Sequence, residues 1–343
     1  MSENPLQACI VSTGAFLPPT ILDNAACGRL SGVTPDWIVR RTGIRERRTA
    51  GPDMGTAYMA GRAAEIALQN AELSPADVDV VIVATSTPDH LTPPSACEVQ
   101  AAIGAFQAAA FDVEAGFAAW LYALIVGDAM LRAGVAATAL VIGADKLSSI
   151  TNRSDPETGP LFGDGAGAVV LRATSARADR ARAPARACAF VRSSSWWADG
   201  RLAGALLRRG GGAAIPFDQS VLAEGSHLLA MEGTRLFKHA VRTMAAQAEL
   251  ALERAGISLD DVALIVPHQA NLRILQTFAR LANIEWEKVF VNIDRYGNTG
   301  AATIPVALHE AVQQGLLASD RPTLLVGFGA GATAGAVVLA PTT

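Results

Sequence analysis

The sequence predicts an α/β fold made of two similar halves, and two internal repeats support this prediction. Residues 64–83 align with 248–267, and each copy reads as an amphipathic helix, a capped turn and a strand. Residues 163–172 and 329–340 are both Gly-rich turns that run into a short β-branched strand. Because the two halves end in the same way, we expect a pseudo-twofold relation between them.

The predicted strands are continuous apolar runs, such as VDVVIVAT at 78–85 and TALVIGA at 138–144, and they alternate with helical stretches. This alternation indicates parallel strands buried on both faces. We therefore divide the chain into an N-terminal half at 1–172, a loop-rich insert at 173–231 and a C-terminal half at 232–343.

The insert at 173–231 breaks the repeating pattern. It holds an Arg/Ala-rich stretch, the pair Trp196 and Trp197, and RRGGG at 208–212. Long irregular inserts in α/β proteins often face the substrate as lids or specificity loops. A solvated linker without a role is the alternative.

The composition excludes several classes of protein. The chain has 343 residues, 50% of them hydrophobic, and a net charge of −4, which gives no basic field for nucleic acid. The longest apolar run, Ala115 to Gly127, is shorter than the roughly 20 residues of a membrane span and predicts a buried helix. The first residues show no secretory signal. We expect a cytoplasmic protein with no membrane or nucleic-acid partner.

The cysteines are widely spaced, with no CxxC pair and no histidine at metal-ligand spacing. We expect reduced and mostly buried thiols, none of them activated, and no metal site. The four positions are Cys9, Cys27, Cys97 and Cys188.

Two polar segments mark the expected site. His268 comes directly after an apolar strand, where open α/β sheets bind their ligands, and Gln269, Asn271 and Arg273 follow it. Asn298 lies in a Gly-flanked turn before a helix, and such turns present side chains and amides to carbonyl or anionic ligands.

Five motifs occur in one order along nearly the whole chain: PDWIVRRTGIRERR at 35–48, FGDGAG at 162–167, PHQANLRI at 267–274, DRYGNTGAA at 294–302 and GFGAGAT at 327–333. Together they resemble the signature of the ketoacyl-acyl carrier protein synthase III group of the thiolase superfamily. The resemblance implies a five-layered αβαβα fold and a homodimer. It also implies a coenzyme A thioester as substrate, with no separate cofactor.

The resemblance also implies catalytic roles. His268 and Asn298 would hydrogen-bond a malonyl thioester carbonyl and stabilise the enolate made when carbon dioxide leaves. The backbone N–H groups of residue 117 and of Ala330 would form the oxyanion hole.

The thioester tunnel of relatives maps onto a further set of residues. Trp37 would stack on adenine, and the arginines would meet phosphates. The set comprises Trp37, Arg41, Thr42, Gly233, Phe237, Ala270, Asn271 and Arg273. Arg153 is a candidate for the remaining phosphate contact.

The sequence departs from the family at its nucleophile. In AFDVEAGFAAWLYAL at 110–124, Phe117 stands where the family carries a cysteine. A phenyl ring cannot form a thioester, and we expect it to fill the mouth of the acyl pocket. Deliberate replacement and natural divergence both explain the change. Thr92, near the place where relatives offer an aromatic ring across the dimer, is a smaller departure that favours specialised metabolism.

These features predict an acyltransferase of natural-product metabolism that takes an acyl or malonyl group from acyl-CoA, malonyl-CoA or an acyl carrier protein. The product is a carbon–carbon condensation or transfer to the hydroxyl or amine of a small-molecule acceptor. The alternative is a non-catalytic or decarboxylase-only homologue that acts as a partner subunit.

Overall fold

The computed structural model describes residues 6–175, 189–317 and 320–341. Its strands are β1 Leu6–Phe16, β2 Thr20–Asp23, β3 Glu46–Thr49, β4 Val80–Ala84, β5 Ala109–Val113, β6 Thr138–Lys146, β7 Asp164–Ser175, β8 Ala189–Ala198, β9 Leu206–Arg208, β10 Leu229–Met231, β11 Leu264–Pro267, β12 Thr323–Gly329 and β13 Thr333–Ala340. Its helices are α1 Asn24–Ser31, α2 Pro35–Thr42, α3 Thr56–Ala71, α4 Ser95–Ile103, α5 Ala119–Arg132, α6 Gln219–Ala223, α7 Gly233–Ala255, α8 Leu272–Leu281, α9 Ile293–Tyr296 and α10 Thr303–Gln313.

One mixed sheet of nine strands organises the molecule, in the order β11-β12-β13-β8-β1-β7-β6-β4-β5. Within it, β4-β6-β7-β1 and β11-β12-β13-β8 repeat one arrangement. In each half the repeated helix leads through a short turn, 75–77 or 259–261, into β4 or β11. Both turns are closed by a capping box, Ser74 with Asp77 and Ser258 with Asp261. The predicted pseudo-symmetry is therefore present in the fold.

The helices complete five layers, which confirms the predicted fold class. Helix α3 packs on the outer face of β1 and β7, and α7 packs on β8, β12 and β13. Helices α5 and α10 lie between the two halves of the sheet, where α5 contacts both β6 and β13. The central layer is strongly apolar, with Trp120, Leu121 and Leu124 of α5 fully buried. The apolar run from Ala115 to Gly127 thus enters a buried helix, as predicted.

The expectation of parallel strands is only partly correct. The pairs β4–β5, β4–β6 and β11–β12 are parallel, whereas β1–β7, β6–β7, β12–β13 and β8–β13 are antiparallel. A continuous apolar run reports that both faces of a strand are covered by helices. It carries no information about the direction of the neighbouring strand. The sequence pattern therefore could not distinguish parallel from antiparallel pairs.

The segment 173–231 contains more regular structure than a loop-rich insert would. Residues 189–198 form β8, which pairs with β13 along most of its length and joins the two halves through Cys9–Phe190 and Ile10–Ala189. Residues 199–231 hold only the short elements β9, α6 and β10. The remaining part, 176–188, including Cys188, lies outside the described residues.

Among the helices of the described segments, none combines the length and the apolar character that a membrane span requires.

Candidate active site

His268 follows β11 and is buried, with 2% of its surface exposed. Its Nδ1 is hydrogen-bonded to the hydroxyl of Thr303 at the start of α10, and its amide donates to Val326 at 2.8 Å. Burial lowers the pKa of His268 to about 3, so the imidazole is neutral near pH 7. We assign the Thr303 hydroxyl as the donor to Nδ1, which places the imidazole proton on Nε2. No described group pairs with this buried Nε2.

Asn298 is held in an orientation that frees its amide nitrogen. Its Oδ1 accepts from the amide of Gly300 at 2.9 Å, and its backbone pairs with the carbonyl of Leu161 at 2.9 Å. Because Oδ1 is engaged, Nδ2 is the atom left to donate to a ligand. His268 and Asn298 thus offer two neutral donors to one cavity.

A fully buried carboxylate, Asp145 at the end of β6, anchors the turn that carries Asn298. Burial raises the pKa of Asp145 to about 6, although hydrogen bonds oppose the shift. Four groups donate to it at 2.7 to 3.0 Å: the hydroxyls of Thr85 and Thr87 and the amides of Ser86 and Ala301. The turn that carries Asn298 is therefore held in place by a buried network in which Asp145 accepts four hydrogen bonds.

The backbone around residue 117 packs directly against the backbone of the turn that follows β12. A Cβ at Gly329 would clash with the amide nitrogen of Phe117, and a Cβ at Gly116 would clash with that of Ala330. Gly116 also has a φ of +54°, a conformation that L side chains rarely adopt. The two amides expected to form an oxyanion hole are therefore brought together. No hydrogen bond joins the Ala330 amide to another described residue.

The Phe117 side chain is buried, with 7% exposed, at the first turn before α5. Its ring centroid lies 5.7 Å from that of His268 and 5.9 Å from that of Phe162, against which it packs edge-on. The position expected to carry a nucleophile is thus filled by an aromatic ring in direct contact with the expected catalytic histidine.

One cavity of about 400 Å³ gathers nearly all the predicted site residues. Phe117, His268 and Asn298 line it, and so do the expected tunnel residues Trp37, Arg41, Thr42, Gly233, Phe237, Ala270, Asn271 and Arg273. Ala330 does not line it, although its neighbour Gly329 does. Distant sequence motifs therefore converge on a single site.

Helices α2 and α8 form the outer part of this cavity. Thr34 caps α2 by accepting from the amide of Trp37 at 3.2 Å, and Arg41 lies over the Trp37 ring at 5.4 Å. Asn271 caps α8 and also donates to the carbonyl of Arg41 at 3.2 Å. Arg41 and Arg273 are exposed, so both guanidinium groups are accessible to an anionic ligand.

Sequence reasoning missed several residues of the site. Thr303 and Asp145 lie in no motif that points to them, and their roles depend on contacts between distant segments. The cavity also has an unforeseen wall, composed mainly of apolar side chains: Leu161, Phe162, Leu206, Met231, Leu236, Ala240, Met244, Ile274 and Phe328.

Other candidates lie away from the cavity. Arg153 donates to Thr49 at 3.4 Å and does not line it, and Thr92 is exposed. Trp196 and Trp197 belong to β8, not to a loop, and the Trp197 carbonyl accepts from Tyr122 at 2.8 Å. Arg208 lies on β9, where it donates to the carbonyl of His227 at 2.9 Å.

The cysteines are placed much as expected. Cys9 and Cys27 are buried, and Cys97 is half-buried. Burial raises the pKa of Cys27, which disfavours its thiolate. In the described ranges, no group of three or more His, Cys, Asp or Glu side chains is arranged to hold a metal ion.

The chain is similar to known condensing enzymes over nearly its whole length. Residues 111–185 match the family model of 3-oxoacyl-(acyl-carrier-protein) synthase III, and residues 252–340 match the model of its C-terminal part. Beta-ketoacyl-(acyl-carrier-protein) synthase III of Roseiflexus castenholzii is 43% identical over 97% of both chains.

Solved structures show the same likeness. The 3-oxoacyl-(acyl-carrier-protein) synthase III of Aquifex aeolicus superimposes with a TM-score of 0.86 at 39% identity, over 97% of this chain and 99% of that one. The priming beta-ketosynthase of the R1128 polyketide pathway gives a TM-score of 0.87 at 29% identity, over 99% and 98%.

Proposed function

The chain belongs to the 3-oxoacyl-(acyl-carrier-protein) synthase III family of condensing enzymes, and we propose that it binds malonyl-type thioesters and decarboxylates them without forming an acyl-enzyme. The observation that carries this proposal is the pair of neutral donors, His268 and Asn298, which line one cavity together with Phe117, the residue at the position where the family resemblance implies a nucleophile.

The chemistry requires only what these two side chains supply. When the C–C bond to the malonyl carboxylate breaks, its electrons form the enolate of the thioester and carbon dioxide leaves. Negative charge develops on the thioester oxygen, where Nε2 of His268 and Nδ2 of Asn298 donate hydrogen bonds. The low pKa of His268 keeps the imidazole a neutral donor, so the enolate is finally protonated by solvent.

Phe117 closes the covalent route, because a hydrocarbon ring cannot attack a thioester. The enzyme type is that of an acyltransferase that lost its acylation step, by deliberate replacement or by natural divergence. With the thiol present, the same cavity would pass the acyl group to a malonyl extender or to a hydroxyl or amine of a small acceptor.

The outer cavity supports binding of acyl-CoA, malonyl-CoA or an acyl carrier protein. The roles proposed there are stacking of Trp37 on adenine and pairing of Arg41 and Arg273 with phosphates. Thr42, Gly233, Phe237, Ala270 and Asn271 would line the path of the pantetheine arm.

We further propose that the protein is a homodimer and acts in natural-product assembly. A homodimer is supported by β5, which is an edge strand of the nine-stranded sheet formed by the described residues. Natural-product assembly is supported by the likeness to a priming ketosynthase of a polyketide pathway. A cytoplasmic location stays a prediction.

Release of carbon dioxide from malonyl-CoA tests the proposed function. We expect slow release by the wild-type chain and a loss of about 10²- to 10³-fold in His268→Ala or Asn298→Ala, the usual effect of removing one oxyanion donor. Binding of malonyl-CoA, measured by calorimetry, should persist in both variants. Absence of binding to any acyl or malonyl thioester would remove the proposal.

A partner subunit without activity is the second candidate, favoured by the burial of Nε2 of His268 behind Phe117. Such a subunit should co-purify with an active homologue from its native host. An enzyme should instead show carbon dioxide release on its own.

A further inference from the structure

The Nε2 atom of His268 stands out among the polar atoms of the cavity. It is inaccessible to water and has no hydrogen-bond partner in the described chain, whereas Nδ1 of the same ring is bonded to Thr303. Yet His268 lines the cavity, whose outer part is open to solvent. A neighbouring group at the inner end of the cavity therefore covers Nε2 of His268, the atom proposed to donate to the thioester.

The Phe117 ring is placed to do this. It lies 5.7 Å from the imidazole between ring centroids, tilted by 43°. Phe162 supports it from behind at 5.9 Å, with an interplanar angle of 64°. Phe117 is itself 7% exposed and lines the same cavity as His268, so its ring packs beside the imidazole at the inner end.

We propose that Phe117 determines access to His268: its ring covers Nε2 in the present conformer, and only a compact malonyl-type thioester that displaces the ring reaches the imidazole. This inference rests on the proposed function for the identity of the ligand. The access role itself depends only on the contacts of Phe117.

The walls of the cavity explain the size restriction. Leu206, Leu236 and Met244 form an apolar surface beside the ring, within a cavity of about 400 Å³. A phenyl ring turned away from His268 would pack on this surface and take the volume that a long acyl chain needs. The polar malonyl group is short enough to fit beside the displaced ring.

The pKa of His268 provides an independent measure of how far the Phe117 ring buries the imidazole. Burial is the single cause that lowers the pKa of His268, and no charged side chain contributes. Removal of the covering ring should therefore return the imidazole toward its ordinary pKa of about 6.5.

The test is an NMR titration of the His268 ring in the wild-type chain, Phe117→Ala and Phe237→Ala. Signals are assigned with His268→Gln, since the chain has five histidines. Phe237→Ala is the matched control, because Phe237 lines the same cavity but makes no ring contact with the imidazole. We expect His268 to stay neutral above pH 5 in the wild type and the control, and to titrate well above pH 5 in Phe117→Ala.

A wild-type His268 that titrates near 6.5, or a Phe117→Ala variant in which it stays neutral above pH 5, would overturn the access role. Should Phe117→Ala fail to fold, Phe117→Leu keeps an apolar side chain and should give a smaller rise in the same direction. No rise in a folded Phe117→Leu would also count against the proposal.

The ligand is tested separately with malonyl-CoA and with palmitoyl-CoA as probes. We expect malonyl-CoA to shift the His268 signals of the wild type, and palmitoyl-CoA to do so only in Phe117→Ala. If neither thioester binds any variant while the titrations behave as expected, the proposed function fails and the access role stands. If palmitoyl-CoA shifts the wild-type signals, the size restriction is wrong.

Discussion

Two buried polar groups near the site, Asp145 and His268, are treated in opposite ways by the fold. Asp145 is fully buried and receives four hydrogen bonds, three from the loop after β4 and one from the turn after Asn298. His268 is buried as well, but its Nε2 has no hydrogen-bond partner among the described residues. Buried polar groups are normally satisfied, so we interpret Asp145 as part of the scaffold and His268 as the group proposed to bind a ligand.

The largest effect on this comparison should come from Asp145→Ala. The substitution leaves two amides and two hydroxyls buried without an acceptor, and we expect a loss of about 3 to 5 kcal/mol in the free energy of unfolding. Urea denaturation followed by circular dichroism measures this. His268→Ala removes the unpartnered Nε2 and a single side-chain hydrogen bond, the one to Thr303, and should cost clearly less. Equal losses would show that Asp145 is not the scaffold of the site.

His268 and Asp145 should change the free energy of unfolding in opposite directions as the pH falls. His268 has a folded pKa of about 3 against an ordinary value near 6.5, so the folded state binds fewer protons and loses stability as pH falls from 6.5 toward 3. At pH 5 this loss is about 2 kcal/mol.

His268→Gln should remove that part of the acid sensitivity. Unfolding by urea at pH 5 and pH 7 measures it as the difference between the variant and the wild type. Asp145, whose folded pKa is raised, acts in the other direction between about 4 and 6 and is the same in both chains. An unchanged pH dependence in His268→Gln would contradict the low pKa.

The smallest predicted effect concerns Thr303, whose hydroxyl is hydrogen-bonded to Nδ1 of His268 and orients the imidazole. Thr303→Val removes the hydroxyl at nearly constant shape, and we expect decarboxylation to fall about tenfold, as for the loss of one hydrogen bond. Thr303→Ser keeps the hydroxyl and should retain most of the rate of carbon dioxide release. A variant series in which Val and Ser behave alike would leave Thr303 without an orienting role.

The sequence motifs singled out residues that the fold brings into one cavity, whereas they did not predict the directions of the strands. His268, Asn298 and the residues of α2 and α8 were found because their side-chain chemistry stands in motifs, and the cavity brings them together. The fold class was found because the repeats 64–83 and 248–267 mark the two halves. Both kinds of signal are local in the chain.

What was missed depends on contacts that no local pattern encodes. Asp145 lies in an apolar strand, and its partners come from residues 85–87 and from Ala301. Thr303 becomes visible only when α10 is placed beside β11. Strand β8 was read as insert because its run SSSWW has no alternation of apolar and polar residues, although β13 and β1 enclose it.

In our proposal, this cavity is a ketoacyl synthase III site that lacks only its nucleophile. Mass spectrometry of Phe117→Cys beside the wild type, each incubated with a panel of acyl and malonyl coenzyme A thioesters, tests it most directly. We predict a thioester adduct at position 117 in the variant and none in the wild type. A folded variant whose new thiol reacts with iodoacetamide yet takes up no acyl group would contradict the claim.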